Sequence, residues 1–227
     1  MLTKLNLYVY YSTLAMAYLA TLPFIPYAGS FILKVLPIYL LAFFIFYQKR
    51  LPGSFLLLGG VLFCSLGDIW LELDSKKYFL YGLSSFLVGH ILYGLCFFRN
   101  WQYRASKVWG IAVIFLFGIG MLWVIKRNLS IPMEPFFLPI VFYVLTICLM
   151  SIFALFHRGD EYKYIFSGAL VFMISDSLIA IDMFIFRLPN PMGSFIIMVT
   201  YYLAQYLIVW GFFQQSELET SVKNSAA

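Results

Sequence analysis

The chain has 227 residues, of which 63% are hydrophobic and only 11% charged. A soluble domain averages roughly 25% charged residues, so this chain has too little polar surface to cover itself in water. Its net charge of +5 is dispersed in small groups between apolar runs, the pattern of membrane-flanking loops and not of a nucleic-acid-binding patch. The length suits about eight membrane spans of roughly 20 residues each, joined by short loops. Cys64, Cys96 and Cys148 all fall inside apolar runs without CxxC or metal-ligand spacing, and read as small hydrophobes.

The composition therefore predicts an all-α membrane protein of eight transmembrane helices. They form one polytopic domain over 1–215, with a short polar tail at 216–227 that frays after Gln214. The apolar segments run over 5–26, 29–47, 53–73, 77–98, 105–125, 134–156, 162–186 and 193–213. The first is too long for a signal peptide and ends in no clean small-x-small site, so it reads as a span. Only Pro26, Tyr27, Ala28 and Gly29 separate it from the second. The connections are short, which predicts that consecutive helices pack as neighbours.

An even number of spans puts both termini on one side. That side carries Lys4, Lys49, Arg50, Arg99, Arg104, Lys107, Arg158, Lys163 and Lys223; the other carries Lys76, Lys77, Lys126, Arg127 and Arg187. The excess predicts cytoplasmic termini, in the inner membrane of a bacterium or the endoplasmic reticulum of a eukaryote. The sequon Asn128-Leu129-Ser130 matters only in a eukaryotic lumen.

A faint repeat is present. Gly60 and Asp68 in the third segment are spaced like Gly168 and Asp176 in the seventh. The helix after each carries a polar group at mid-membrane, His90 and Gln205 respectively. An offset of four helices implies a parallel 4+4 repeat with both aspartates at similar depth.

Polar residues inside the spans are the informative ones, because a charge at mid-bilayer costs several kcal/mol and is paired or functional by default. Asp68 has Gly67 beside it for close approach, and Ser65 and Glu72 on its own face. Asp176 lies between Ser175 and Ser177 in an apolar helix, whereas Asp182 falls on another face nearer the interface. His90 is placed to shuttle a proton or orient a partner. Lys34 either snorkels to the interface or pairs with an aspartate or a substrate phosphate. Glu72 and Lys76 read as a structural i,i+4 pair. Tyr93, Tyr143, Tyr201 and Tyr202 add hydroxyls, and Tyr201 shares a face with Gln205. Two carboxyls at one depth in a water-poor site suit acid catalysis through an oxocarbenium ion, one as proton donor and one as anion. They suit proton-coupled transport equally. A metal-dependent lipid hydrolase wants several histidines in the spans, and only His90 lies there.

The motifs Lys34-Val35-Leu36-Pro37, Gly67-Asp68, Phe86-x3-His90-x2-Tyr93, Gly168-Ala169-x2-Phe172-x2-Ser175-Asp176 and Tyr201-Tyr202-x2-Gln205 occur in this order. Together they resemble the YhhN-like lysoplasmalogenase family of eight-span membrane proteins. The resemblance implies hydrolysis of the vinyl ether bond of a lysoplasmalogen, giving a fatty aldehyde and glycerophosphoethanolamine or glycerophosphocholine, with no metal or organic cofactor. It maps the family's paired acids onto Asp68 and Asp176, with Lys34, His90, Tyr93, Ser175, Tyr201, Tyr202 and Gln205 as binding or supporting residues. The partners it implies are a lysophospholipid substrate and membrane lipid. The oligomeric state stays open.

Overall fold

The computed structural model describes residues 4–48, 52–159 and 162–225. Lys49 and Arg50, which entered the charge balance, and the tail residues Ala226 and Ala227 lie outside the described residues. The described chain is helical: α1 (Lys4–Thr21), α2 (Ser30–Tyr47), α3 (Ser54–Asp74), α4 (Phe79–Phe98), α5 (Val108–Asn128), α6 (Phe137–Leu155), α7 (Tyr162–Phe184) and α8 (Met192–Ser225). Short 3-10 turns precede α2, α5 and α6.

The punctuation residues set these limits. Gly29 and Gly53 precede α2 and α3 at φ of 82° and 88°, a left-handed geometry that glycine adopts without steric cost. α8 continues as helix to Ser225, past Gln214 where the apolar pattern ends.

Seven of the helices, α2 to α8, are long and apolar enough to cross a membrane among the described residues, which makes this an integral membrane protein. The eighth, α1, has 18 residues like α2. Its lysine, asparagine, serine, threonine and tyrosine side chains leave it less apolar than the membrane-length stretches of the other seven.

α2, α3, α4, α6, α7 and α8 pack in that order into a closed ring, α8 returning to α2. α1 lies against α2 and α8, and α5 against α6 and α7. The expectation that consecutive helices are neighbours fails in part, because α4 packs on α6 and α5 is set outside. The cause is in the connections. Gln102 N–H donates to the Phe156 carbonyl at 2.8 Å and Arg158 N–H to the Asn100 carbonyl at 2.7 Å. The segment after α4 is thereby tied to the segment after α6. α5 then presents little buried surface, only Ile114, Gly118 and Ile125, and turns Trp109, Val113 and Leu116 outward.

Lipid tails are as apolar as leucine, so helix association here rests on close packing and on hydrogen bonds between helices. Gly168 supplies the first: a Cβ there would lie 2.9 Å from Ile208 N and 3.0 Å from the Ala204 carbonyl, so α7 and α8 touch backbone to backbone. Three buried hydroxyls supply the second. Ser175 donates to the Ile197 carbonyl (3.2 Å), Tyr202 to the Lys34 carbonyl (2.7 Å) and Tyr11 to the Tyr202 carbonyl (2.7 Å). Each contributes about 0.6–2 kcal/mol in a membrane. The three cysteines are buried and unpaired.

Candidate active site

Two largely buried polar clusters lie among the helices of the ring. The first joins α2, α3 and α8. Lys34 sits one turn into α2, and its ammonium does not snorkel. It lies 3.2 Å from Glu72 and 3.8 Å from Asp68, and its side chain is only 10% exposed. Asp68 and Glu72, four residues apart on α3, thus share one cation. This corrects the expected Glu72–Lys76 pair: an i,i+4 rule sees one helix, whereas the stronger partner arrives from α2. The Tyr18 hydroxyl approaches Glu72 at 3.5 Å, and Tyr201 lines the same cavity as Asp68.

The second cluster joins α4, α6 and α7. Tyr143 donates to Asp176 Oδ2 at 2.6 Å, and His90 Nε2 lies 3.8 Å from the same oxygen. The His90 ring is fully buried, edge-on to Phe172 and Tyr143. Phe86, which lines both cavities described below, packs against Gly67, whose missing Cβ would sit 2.5 Å from the ring. Gly67 therefore admits an aromatic side chain beside Asp68.

Several buried polar atoms have no hydrogen-bond partner within the protein: Asp68 Oδ2, Glu72 Oε1 and both ring nitrogens of His90. Leaving such a group unsatisfied costs about 1–3 kcal/mol. These four atoms all lie in the two clusters.

Cavities adjoin both clusters. One, of about 340 Å³, is lined by Lys34, Asp68, Glu72 and Tyr201 on its inner wall and by Ser75, Asp182, Arg187, Asn190 and Ser194. The other, of about 80 Å³, is almost wholly apolar, with Asp176, Tyr143 and Ser177 among residues such as Phe117, Met121, Ile125 and Ile140. Leu71, Phe86, Ile179 and Met183 line both. Four apolar side chains are thus shared between a more polar chamber lined by one aspartate and an apolar chamber lined by the other.

Of the residues singled out by sequence, Lys34, Asp68 and Tyr201 meet in one cluster and His90 and Asp176 in the other. Tyr93 and Gln205 form a buried pair at 2.5 Å, and Gln205 in turn donates to the Tyr201 hydroxyl at 3.3 Å, so they support the site from behind. Ser175 and Tyr202 bind helices together, as described above. Glu72 and Tyr18 join the first cluster and Arg187 lines the larger cavity, none of them a candidate by sequence, and Tyr143, which sequence marks only as a hydroxyl, donates to Asp176. Among the described residues no three His, Cys, Asp or Glu side chains gather in a way that could hold a metal ion.

The sequence profile of the YhhN family matches residues 29–212. Lysoplasmalogenase TMEM86A of Bos taurus is 30% identical over 192 residues, covering 79% of this chain and 76% of that protein. Human lysoplasmalogenase TMEM86A is 30% identical over 191 residues, with the same coverage. Human lysoplasmalogenase TMEM86B is 31% identical over 180 residues, covering 78% of this chain and 72% of that protein. No solved structure matches.

Proposed function

The chain belongs to the YhhN family, and on that premise we propose that it is a lysoplasmalogenase, hydrolysing the vinyl ether bond of a lysoplasmalogen by acid catalysis from Asp176 and Asp68. The observation that carries the proposal is the pair of adjoining chambers, one more polar and one apolar, each with its own aspartate. A one-chain lipid with a polar head has that same division, and its vinyl ether lies where head and chain join. The names of the relatives at 30–31% identity support the same chemistry.

The surroundings divide the roles. Asp176 has a phenol, an imidazole and apolar side chains about it, and is the proton donor. Tyr143 occupies Oδ2 and leaves Oδ1 to deliver the proton. Asp68 sits beside the Lys34 ammonium and is the carboxylate. In the reaction Asp176 protonates the β-carbon of the vinyl ether, and the α-carbon and ether oxygen become an oxocarbenium ion. The Asp68 carboxylate stabilises that cation and takes a proton from the attacking water. The hemiacetal then collapses. Its carbon–oxygen bond to glycerol breaks as Asp68 returns the proton to the leaving oxygen, and the hydroxyl proton restores Asp176. Aldehyde and glycerophospho-alcohol leave with both acids in their starting state. Lys34 keeps Asp68 in place, Tyr143 orients Asp176, and His90 walls Asp176 at 3.8 Å.

The same reading takes α1 as an eighth span and the protein as a parallel 4+4 repeat. Asp68 and Asp176 each lie fourteen residues past the first residue of α3 and α7. The ring pairs α2–α3, α3–α4 and α4–α6 have counterparts in α6–α7, α7–α8 and α8–α2. Termini in the cytoplasm remain the orientation that the loop charges favour.

The test uses purified protein in detergent micelles with 1-alkenyl, 1-alkyl and 1-acyl lysophospholipids. Release of aldehyde from the alkenyl substrate alone, carrying one deuterium at C2 when the solvent is D₂O, is the expected result. Absence of aldehyde from folded protein would overturn the assignment.

A further inference from the structure

We infer that the Asp182–Arg187 pair in the polar chamber is the head-group subsite and that it selects a zwitterionic phosphodiester, Arg187 taking the phosphate and Asp182 the terminal amine. The inference rests on reading the two chambers as a lysophospholipid site. Arg187 Nη1 meets Asp182 Oδ2 at 2.9 Å, and the Asp182 Oδ1 accepts the Leu188 N–H at 2.7 Å. The carboxylate is therefore fixed in direction by the backbone at the end of α7, while the guanidinium, 59% exposed, is held by a single pair. A guanidinium with unused donors is the group that binds phosphate in a fork.

Lys34, the other cation of the chamber, is a poor candidate for phosphate. It is buried between Asp68 and Glu72 and is already committed to both. The charge balance of the walls narrows the ligand further. Lys34 and Arg187 stand against Asp68, Glu72 and Asp182, so an anion lacking a positive end would add charge to a wall that has no spare cation. A head group with its own ammonium or quaternary amine brings a partner for each member of the Asp182–Arg187 pair. Asn190, whose Oδ1 accepts from Ser194 at 3.1 Å, lines the same chamber and can donate its amide N–H to a remaining phosphate oxygen.

Non-hydrolysable 1-alkyl ethers separate this inference from the catalytic one. Binding of 1-alkyl-glycerophosphoethanolamine, 1-alkyl-glycerol phosphate and 1-alkylglycerol is measured on wild type, Arg187→Gln and Asp182→Asn in micelles. The asparagine keeps the acceptor for Leu188 N–H, and thermal unfolding checks that each variant is folded. Wild type should bind the phosphoethanolamine at least tenfold more tightly than the other two. Arg187→Gln should lose about tenfold for both phosphate-bearing ligands and nothing for the alkylglycerol. Asp182→Asn should weaken the phosphoethanolamine and strengthen the phosphate monoester. Equal effects on all three ligands, or none, would overturn the inference. Head-group preference in a protein that releases no aldehyde would sink the hydrolase reading alone; aldehyde release with no head-group preference would sink the subsite alone.

Discussion

Lys34→Met is the most demanding perturbation of the first cluster. The ammonium lies 3.2 Å from Glu72 and 3.8 Å from Asp68, with the lysine side chain 10% exposed. At an effective dielectric near 20 each contact is worth about 4–5 kcal/mol of Coulomb attraction, before the cost of taking the charges out of water. Removing one member of a buried pair typically destabilises by about 3–5 kcal/mol, because it leaves its partners buried and uncompensated. Methionine fills the lysine stem, so the loss is electrostatic and not a cavity. Glu72→Gln in the same chain removes one of the stranded carboxylates and should recover at least half of the lost stability. It should not restore aldehyde release, since Asp68 still lacks its cation. Thermal unfolding in micelles gives the stability, and aldehyde release at matched folded fraction gives the activity. A Lys34→Met protein as stable as wild type, or a double variant no more stable than the single one, would refute the shared-cation account.

Three further changes probe the other parts of the account. Tyr143→Phe removes the 2.6 Å hydrogen bond to Asp176 and should destabilise by about 1–3 kcal/mol and lower kcat about tenfold at matched folded fraction, as unfolding and initial rates together will show. Gly168→Ala forces a methyl against the Ile208 and Ala204 backbone and should destabilise by about 1–3 kcal/mol, measured by unfolding, with activity per folded molecule near wild type. Ala180→Phe places a ring in the apolar chamber and should raise KM for long-chain alkenyl substrates more than for the shortest chains, as a chain-length series will show.

Much of the fold was legible because a membrane chain writes its helix limits in charge and turn residues. The segments read from sequence overlap α1 to α8 throughout, and Gly29 and Gly53 mark two of the starts. The displacement of α5 was not legible. Short loops predict adjacency, and nothing local announces that Gln102 and Asn100 will bond across to Phe156 and Arg158. The aspartates stood out because each is a charge in an apolar run. Glu72 was assigned to the wrong cation because helix-surface rules weigh Lys76 and cannot see Lys34 on another helix. Asp182 and Arg187 looked like ordinary interfacial charges for the same reason: only the packing of α7 and α8 turns them into one chamber.

The central claim is that two aspartates on α3 and α7 carry the reaction together. Aldehyde release from a lysoplasmalogen, measured side by side for wild type, Asp68→Asn and Asp176→Asn, tests it most directly, with unfolding curves confirming that all three are folded. The account predicts turnover by wild type and a loss of about a thousandfold or more in each variant, the size expected when a positioned acid or its electrostatic partner is removed. A folded Asp68→Asn or Asp176→Asn protein that releases aldehyde at the wild-type rate would contradict it.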